Sequence, residues 1–232
     1  MRRLLATALV LTATLIGSGA AAQKTGTVVE LYTSQGCSSC PPADAMLEDL
    51  AKRSDVIALA LHVDYWDYIG WKDDLADPAY TQRQKNYAAA AGSDTVYTPQ
   101  MIIGGQDHVI GSRPMQVMDQ VQRHNALPDP VSVNLRKSGG TLTINAEATG
   151  RAQDTIVQVV RYTPLVTRDI GRGENAGKTI AYANVVNSWQ TAGRWNTREP
   201  LQMQVRLSGS DPVVVIVQAG SNGPILGAAE LN

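Results

Sequence analysis

Cys37-Ser38-Ser39-Cys40-Pro41-Pro42 carries both cysteines of the 232-residue chain, two residues apart, between an apolar run and a helical one. Upstream, Val28-Val29-Glu30-Leu31-Tyr32 has the composition of a short strand. Downstream, Ala43 to Arg53 sets Met46, Leu47 and Leu50 on one side at helical spacing. A strand therefore feeds a tight turn, and a helix starts at the second cysteine. The unpaired N–H groups and the dipole of a helix N-terminus favour a thiolate. That points to redox chemistry, with Cys37 as an exposed nucleophile and Cys40, one turn further in, resolving the mixed disulfide. The alternative is a passive staple. Closing so short a loop contributes roughly 2 kcal/mol in the chain-entropy model, little for a chain able to build a core.

Towards the N-terminus, Met1-Arg2-Arg3 is a basic start, Leu4 to Ile16 is apolar, and Ala20-Ala21-Ala22 supplies small residues. Residues 1–22 thus read as a secretory signal peptide cut after Ala22, with a retained anchor as the alternative. The expected location is the periplasm or the exterior, where disulfides persist, with no stable membrane insertion. Without Arg2 and Arg3, 18 of the 20 basic residues remain against 21 acidic ones. With no basic cluster, nucleic acid and anionic membrane surfaces are not favoured partners.

Towards the C-terminus, Val56 to Val63 is an almost unbroken apolar run, as in a strand covered on both faces. Residues 64–74 have no period and read as a loop. Asp77-Pro78 is an N-cap followed by a proline at the first helical position, opening a helix through Ala91 to Gly92. Pro99 belongs at the start of a strand over Met101–Ile103, because proline cannot donate within a ladder. Gly104 to Asp107 turns, His108–Ile110 returns, and Arg113 to Asn125 is a closing helix.

Strand, helix, strand, helix, strand, strand, helix, with a dithiol at the first helix and Thr98-Pro99 before the third strand, resembles the thioredoxin superfamily. The resemblance implies that Pro99 is cis, that it faces the dithiol across a substrate groove, and that Thr98 contacts substrate through its backbone. A closer resemblance is to a family of secreted bacterial proteins on the same fold, carried by residues 30–42 (ELYTSQGCSSCPP), 62–67 (HVDYWD), Gly70-Trp71, Arg83-Gln84 and 97–100 (YTPQ). Ser38-Ser39 departs from the Gly-Pro of thioredoxin itself, and no tryptophan precedes Cys37.

Tyr65, Trp66, Tyr68 and Trp71 lie in the loop after the second strand, where they form either an aromatic rim beside the dithiol or a satellite core. With no phenylalanine in the chain, tyrosine and tryptophan must also do the aromatic packing. Asp44, four residues after Cys40, would oppose thiolate formation if close and is nearly silent if solvated. Two thiolates and three histidines do not make a closed zinc site. Copper(I) accepts two thiolates with or without an imidazole, so Cys37, Cys40 and His62 form an alternative copper set, and no other cofactor is implied.

After Pro128-Asp129-Pro130 the pattern is strands alone: 131–135, 142–146, 155–162, 179–186, 201–207, 213–218 and 225–229. The expected fold class is accordingly α/β, a thioredoxin-like domain over residues 23–127, followed by a small antiparallel β-sandwich over residues 131–232. The polar, glycine-rich residues 168–178 lack phosphate-loop spacing and read as an exposed loop or one that rests near Cys37. The function expected is an exported thiol–disulfide oxidoreductase acting on protein thiols or disulfides. The alternatives are a copper(I) carrier and a passive interaction module.

Overall fold

The computed structural model describes residues 23–232, so the signal peptide expected over residues 1–22 lies outside the described residues. In chain order the elements are β1 (Gln23–Thr25), β2 (Thr27–Thr33), α1 (Pro41–Ala51), β3 (Val56–His62), α2 (Pro78–Ala90), β4 (Gln100–Ile103), β5 (Asp107–Ile110) and α3 (Pro114–Asn125). Then follow β6 (Val131–Ser138), β7 (Thr141–Ala148), β8 (Thr155–Asp169), β9 (Thr179–Trp195), β10 (Leu201–Arg206), β11 (Val213–Ala219) and β12 (Ile225–Leu231). No helix among the described residues is long and apolar enough to cross a membrane.

The expected fold class is overturned. Strand accounts for 44% of the described residues and helix for 19%, and one mixed nine-stranded sheet runs β1-β12-β11-β8-β9-β3-β2-β4-β5. Strands from both sides of Pro128–Pro130 therefore share a sheet, in place of a thioredoxin-like α/β domain followed by a β-sandwich. The join is at β3. Its inner edge pairs in parallel with β2 over Thr27–Thr33, and its outer edge meets β9 at Ala60 and Val185. A fully apolar strand gains by covering both edges and both faces, and β9 supplies the missing edge. The N-terminus is tied in as well, since β1 pairs antiparallel with β12.

One face of the sheet carries α2 over a continuous core that mixes Val28, Tyr32, Ile57 and Leu61 with Val160, Val186, Val214 and Ile216. The opposite face is covered by α1 and α3 over β2–β5, and by a separate sheet β10-β7-β6 over β8, β11 and β12. Strand β11 shows the alternation, with Val213, Val215 and Val217 facing the small sheet and Val214 and Ile216 facing the α2 side. Where β6 crosses β12, a side chain at Gly227 would collide with the carbonyl oxygen of Val131. The close approach of the two layers requires glycine there.

Within the α2-side core, Arg83 makes a bidentate pair with Glu30 (2.7 and 2.8 Å). Tyr32 and Tyr87 donate to the same carboxylate. Gln158 and Gln218 accept from Arg83 at 3.3 Å, and the guanidinium stacks 3.9 Å over the Trp189 ring. One buried network thus bonds β2 and α2 to β8, β9 and β11. Removing one partner of a buried pair leaves an uncompensated charge. In urea titrations, Arg83→Ala is expected to lower unfolding free energy by about 3–5 kcal/mol. Lys52→Ala, in an exposed pair on α1, should leave the midpoint unchanged.

Candidate functional site

Strand β2 runs into a turn in which Cys37 N donates to Ser34 O (3.1 Å) and Cys40 N to Cys37 O (3.2 Å). Pro41 opens α1 where a missing N–H has no cost, and Cys40 is the N-cap. Cys37 and Cys40 are bonded, with a Cα–Cα distance of 5.4 Å. Ser38 and Ser39 are exposed, but Cys37 is only 2% exposed and Cys40 is fully buried. The exposed nucleophile expected from the helix-front position is thus a covered one here.

Three separate segments hold this turn. The first is the loop after β3. Trp66 packs so closely that a Cβ on Gly36 would lie 3.0 Å from its own Cβ, and its indole N–H donates to Thr98 Oγ1 (2.7 Å). The second is Thr98–Pro99, a cis peptide bond. A Cβ on Gly111 would meet Pro99 Cβ at 3.2 Å and Ala43 Cβ at 3.1 Å, which places the proline against the first turn of α1. The third is the tip between β8 and β9, where Asn175 Nδ2 donates to the carbonyls of Gln35 and Cys37, each at 2.9 Å.

The aromatic loop divides its residues between the two expected roles. Tyr65 donates to Gln84 Oε1 (3.2 Å), and Tyr65 and Trp66 both pack against the α2-side core. Trp71 donates to Gln35 Oε1 (2.7 Å) and packs with Ile170, Ile180, Tyr182 and Val185. Tyr68, 80% exposed, stacks on Trp66 and alone faces solvent as a rim residue would.

Beneath the turn lies a polar cluster that the sequence did not single out as a unit. Asp44 is buried, accepts from Thr33 Oγ1 (2.7 Å) through Oδ1, and has no partner at Oδ2. Burial pushes its carboxyl up to about 7. His62 and the Thr33 hydrogen bond pull it down, while Asp73 adds to the rise. His62 Nδ1 donates to Asp73 Oδ2 (2.8 Å), the only role a carboxylate leaves it. His62 Nε2 and the Tyr182 hydroxyl, on rings 4.7 Å apart, also lack partners among the described residues. Asp73 further accepts from Gln35 N (2.8 Å). His62 is thus engaged by a carboxylate, and no three His, Cys, Asp or Glu side chains among the described residues converge as a metal site. Asp44 had a readable signal, since it is four residues after Cys40 and three before Leu47, on the buried stripe of α1. Of the two readings of residues 168–178, the one resting near Cys37 is what the structure shows, but nothing singled out Asn175 as the contact, 138 residues away in sequence.

The model of a family described as protein of unknown function, DUF1223, matches residues 28–218, a span that contains every residue of the site. The chain belongs to this family. Among solved structures, the X-ray crystal structure of an Agrobacterium tumefaciens protein is similar at 34% identity and a TM-score of 0.78, over 90% of this chain and 94% of that one. HBP35 of Porphyromonas gingivalis, at 14% identity and a TM-score of 0.57 over 89% and 74%, is similar in fold. No curated protein matches this chain.

The buried acid of this DUF1223 chain makes a signed prediction. Its folded form holds a proton at pH values where the unfolded chain has released one, so folding binds protons between about pH 4 and 7. Stability from this group is full at low pH and is lost as pH rises towards 7, by at most about 4 kcal/mol. The groups facing it are Thr33 on β2, His62 on β3, Asp73 in the loop and Tyr182 on β9. Denaturant titrations from pH 4.5 to 8 should show this slope in the wild type and lose it in Asp44→Asn.

Proposed function

We propose that the protein is an exported thiol–disulfide oxidoreductase that exchanges the Cys37–Cys40 disulfide with protein thiols in the periplasm or outside the cell. The observation that carries this reading is the disulfide's placement, at the N-terminus of α1 with the buried carboxyl of Asp44 one helical turn along. A helix N-terminus favours the thiolate that exchange requires. A carboxyl held at about 7 can give up or take a proton near neutral pH. A four-residue loop is a weak staple for a chain with so extended a core.

In the oxidising direction, a substrate thiolate attacks Cys37 Sγ. The S–S bond breaks and its electron pair passes to Cys40, which takes a proton. A second substrate thiolate then attacks the substrate sulfur of the mixed disulfide and releases Cys37 as thiolate. The substrate leaves as a disulfide, two electrons poorer, and the protein becomes the dithiol. Reduction of a substrate disulfide is the same sequence reversed. Asp44, with Cys40 at the i, i+4 spacing that sets side chains side by side, is the group placed to exchange that proton. Thr98, Pro99 and Trp66 border the turn and are the proposed substrate contacts, with Tyr65 next to Trp66 and bonded to α2.

Insulin reduction in the presence of dithiothreitol tests this. The mature protein should accelerate precipitation of the insulin B chain several-fold over dithiothreitol alone, and Cys37→Ser should fall to the uncatalysed rate. Equal rates for the two proteins would remove the cysteines from any such role. Asp44→Asn should retain activity but lose the pH dependence that a group titrating near 7 imposes.

A further inference from the structure

The turn reaches the surface at Ser38 and Ser39, yet its sulfurs do not. Thiol exchange requires the attacking sulfur to reach the bonded one. Asn175, itself 1% exposed, bonds the turn at both Gln35 O and Cys37 O. It sits in a tip that is closed on itself. Ile170 N donates to Lys178 O (2.9 Å), Gly177 N to Ile170 O (2.8 Å), and Lys178 Nζ to Asn175 Oδ1 (2.8 Å). A segment with its own hydrogen bonds can move as a unit.

At the end of the tip nearest the arm, Ile170 is buried with Ile180, Tyr182 and Trp71, while the outer attachments are lighter. Arg168 pairs with Asp74 (2.8 Å) in a solvent-accessible bridge, and Gly171 and Gly173 approach Trp71. Behind the tip, β8 and β9 pair as a ribbon whose β9 side packs against α1 and β3. Strand β11 pairs with β8 only from Thr155 to Arg161, and beyond that β8 has β9 alone. The base of the ribbon is irregular, with a register shift between Arg161 and Tyr162 and Asn184 at φ 49°.

Resting on the oxidoreductase reading above, we infer that Ile170–Lys178 is a gate over the Cys37–Cys40 disulfide, latched by the Asn175 side chain, and that a thiol reaches Cys37 only when the tip lifts. Closed, it shields the disulfide from small thiols. Open, it exposes the turn together with the carbonyls of Gln35 and Cys37.

The test follows reduction of the oxidised protein by dithiothreitol, read by acid quench and thiol labelling. Asn175→Ala removes both latch bonds and should be reduced about tenfold faster than wild type. Arg168→Ala, at a half-exposed position outside the latch, should give a smaller increase. Raising salt should speed the wild type towards that variant by screening Arg168–Asp74. Reduction at the wild-type rate in both variants, with circular dichroism showing them folded, overturns the gate. Should Asn175→Ala not fold, Arg168→Ala and the salt series decide alone, and no change in either overturns it equally. Fast dithiothreitol reduction of the variants without insulin turnover by any form keeps the gate and removes the oxidoreductase reading. Insulin turnover with equal dithiothreitol rates does the reverse.

Discussion

The Glu30–Arg83 pair is the constraint from which the rest of the structure follows. A carboxylate and a guanidinium taken out of water are tolerated only when their hydrogen-bonding capacity is filled. Filling it here takes Tyr32 from β2, Tyr87 from α2, and Gln158 and Gln218 from β8 and β11. No half of the chain can complete this set alone. The network therefore fixes α2 against strands that come much later in the sequence, and makes the nine-stranded sheet one folding unit. The Trp189 face stacks over Arg83 and adds a cation–π contact.

The same joining of early and late segments shapes the disulfide turn. With β9 seated on the outer edge of β3, the β8–β9 arm extends past the sheet towards α1, bringing Tyr182 beside His62 and Asn175 onto the turn. Gln35 is the meeting point. It donates through its backbone to Asp73 and through its side chain to Asp74, and it accepts from Trp71 and Asn175. A turn held from so many directions has its backbone fixed before anything approaches the disulfide.

Much of the local structure was legible. Apolar runs marked β2, β3 and β11, Asp77-Pro78 marked the start of α2, and Gly104 to Asp107 marked the β4–β5 turn. Partner choice was not, because a buried strand has the same composition whether its neighbour is near or far in sequence. The proline pair at 128–130 reads as a domain linker, but a change in composition marks a change of element type and not a boundary in the core. Pro164 similarly argues for ending a strand near Tyr162. It is tolerated inside β8 because β11 has already stopped at Arg161 and the ribbon has a free edge. Within the site, the dithiol and Thr98-Pro99 were legible from chemistry and order, whereas Asp44, which could be read as solvated, is buried. That residues 168–178 reach the turn could be read, but Asn175 as the contact and Tyr182 beside His62 come from tertiary pairing.

Where a chain departs from local rules, the departure says what the structure is for. Four buried side-chain polar atoms among the described residues lack a partner, and three of them, on Asp44, His62 and Tyr182, belong to one cluster under the disulfide turn. Each forgoes a hydrogen bond that folding would otherwise favour. Asn184, in the left-handed region two residues after Tyr182, anchors the same strand by donating to Ala58 O (2.9 Å). The Glu30–Arg83 network, on the other face of the sheet, shows no such departure at its carboxylate or guanidinium. Polar burial there is saturated and serves the fold. Under the disulfide it is left open, and the carboxyl consequently titrates near neutrality. A purely structural cluster would gain stability by closing those three valences. On the oxidoreductase reading proposed above, the open carboxyl of Asp44, one helical turn from Cys40, is the group available to exchange a proton there.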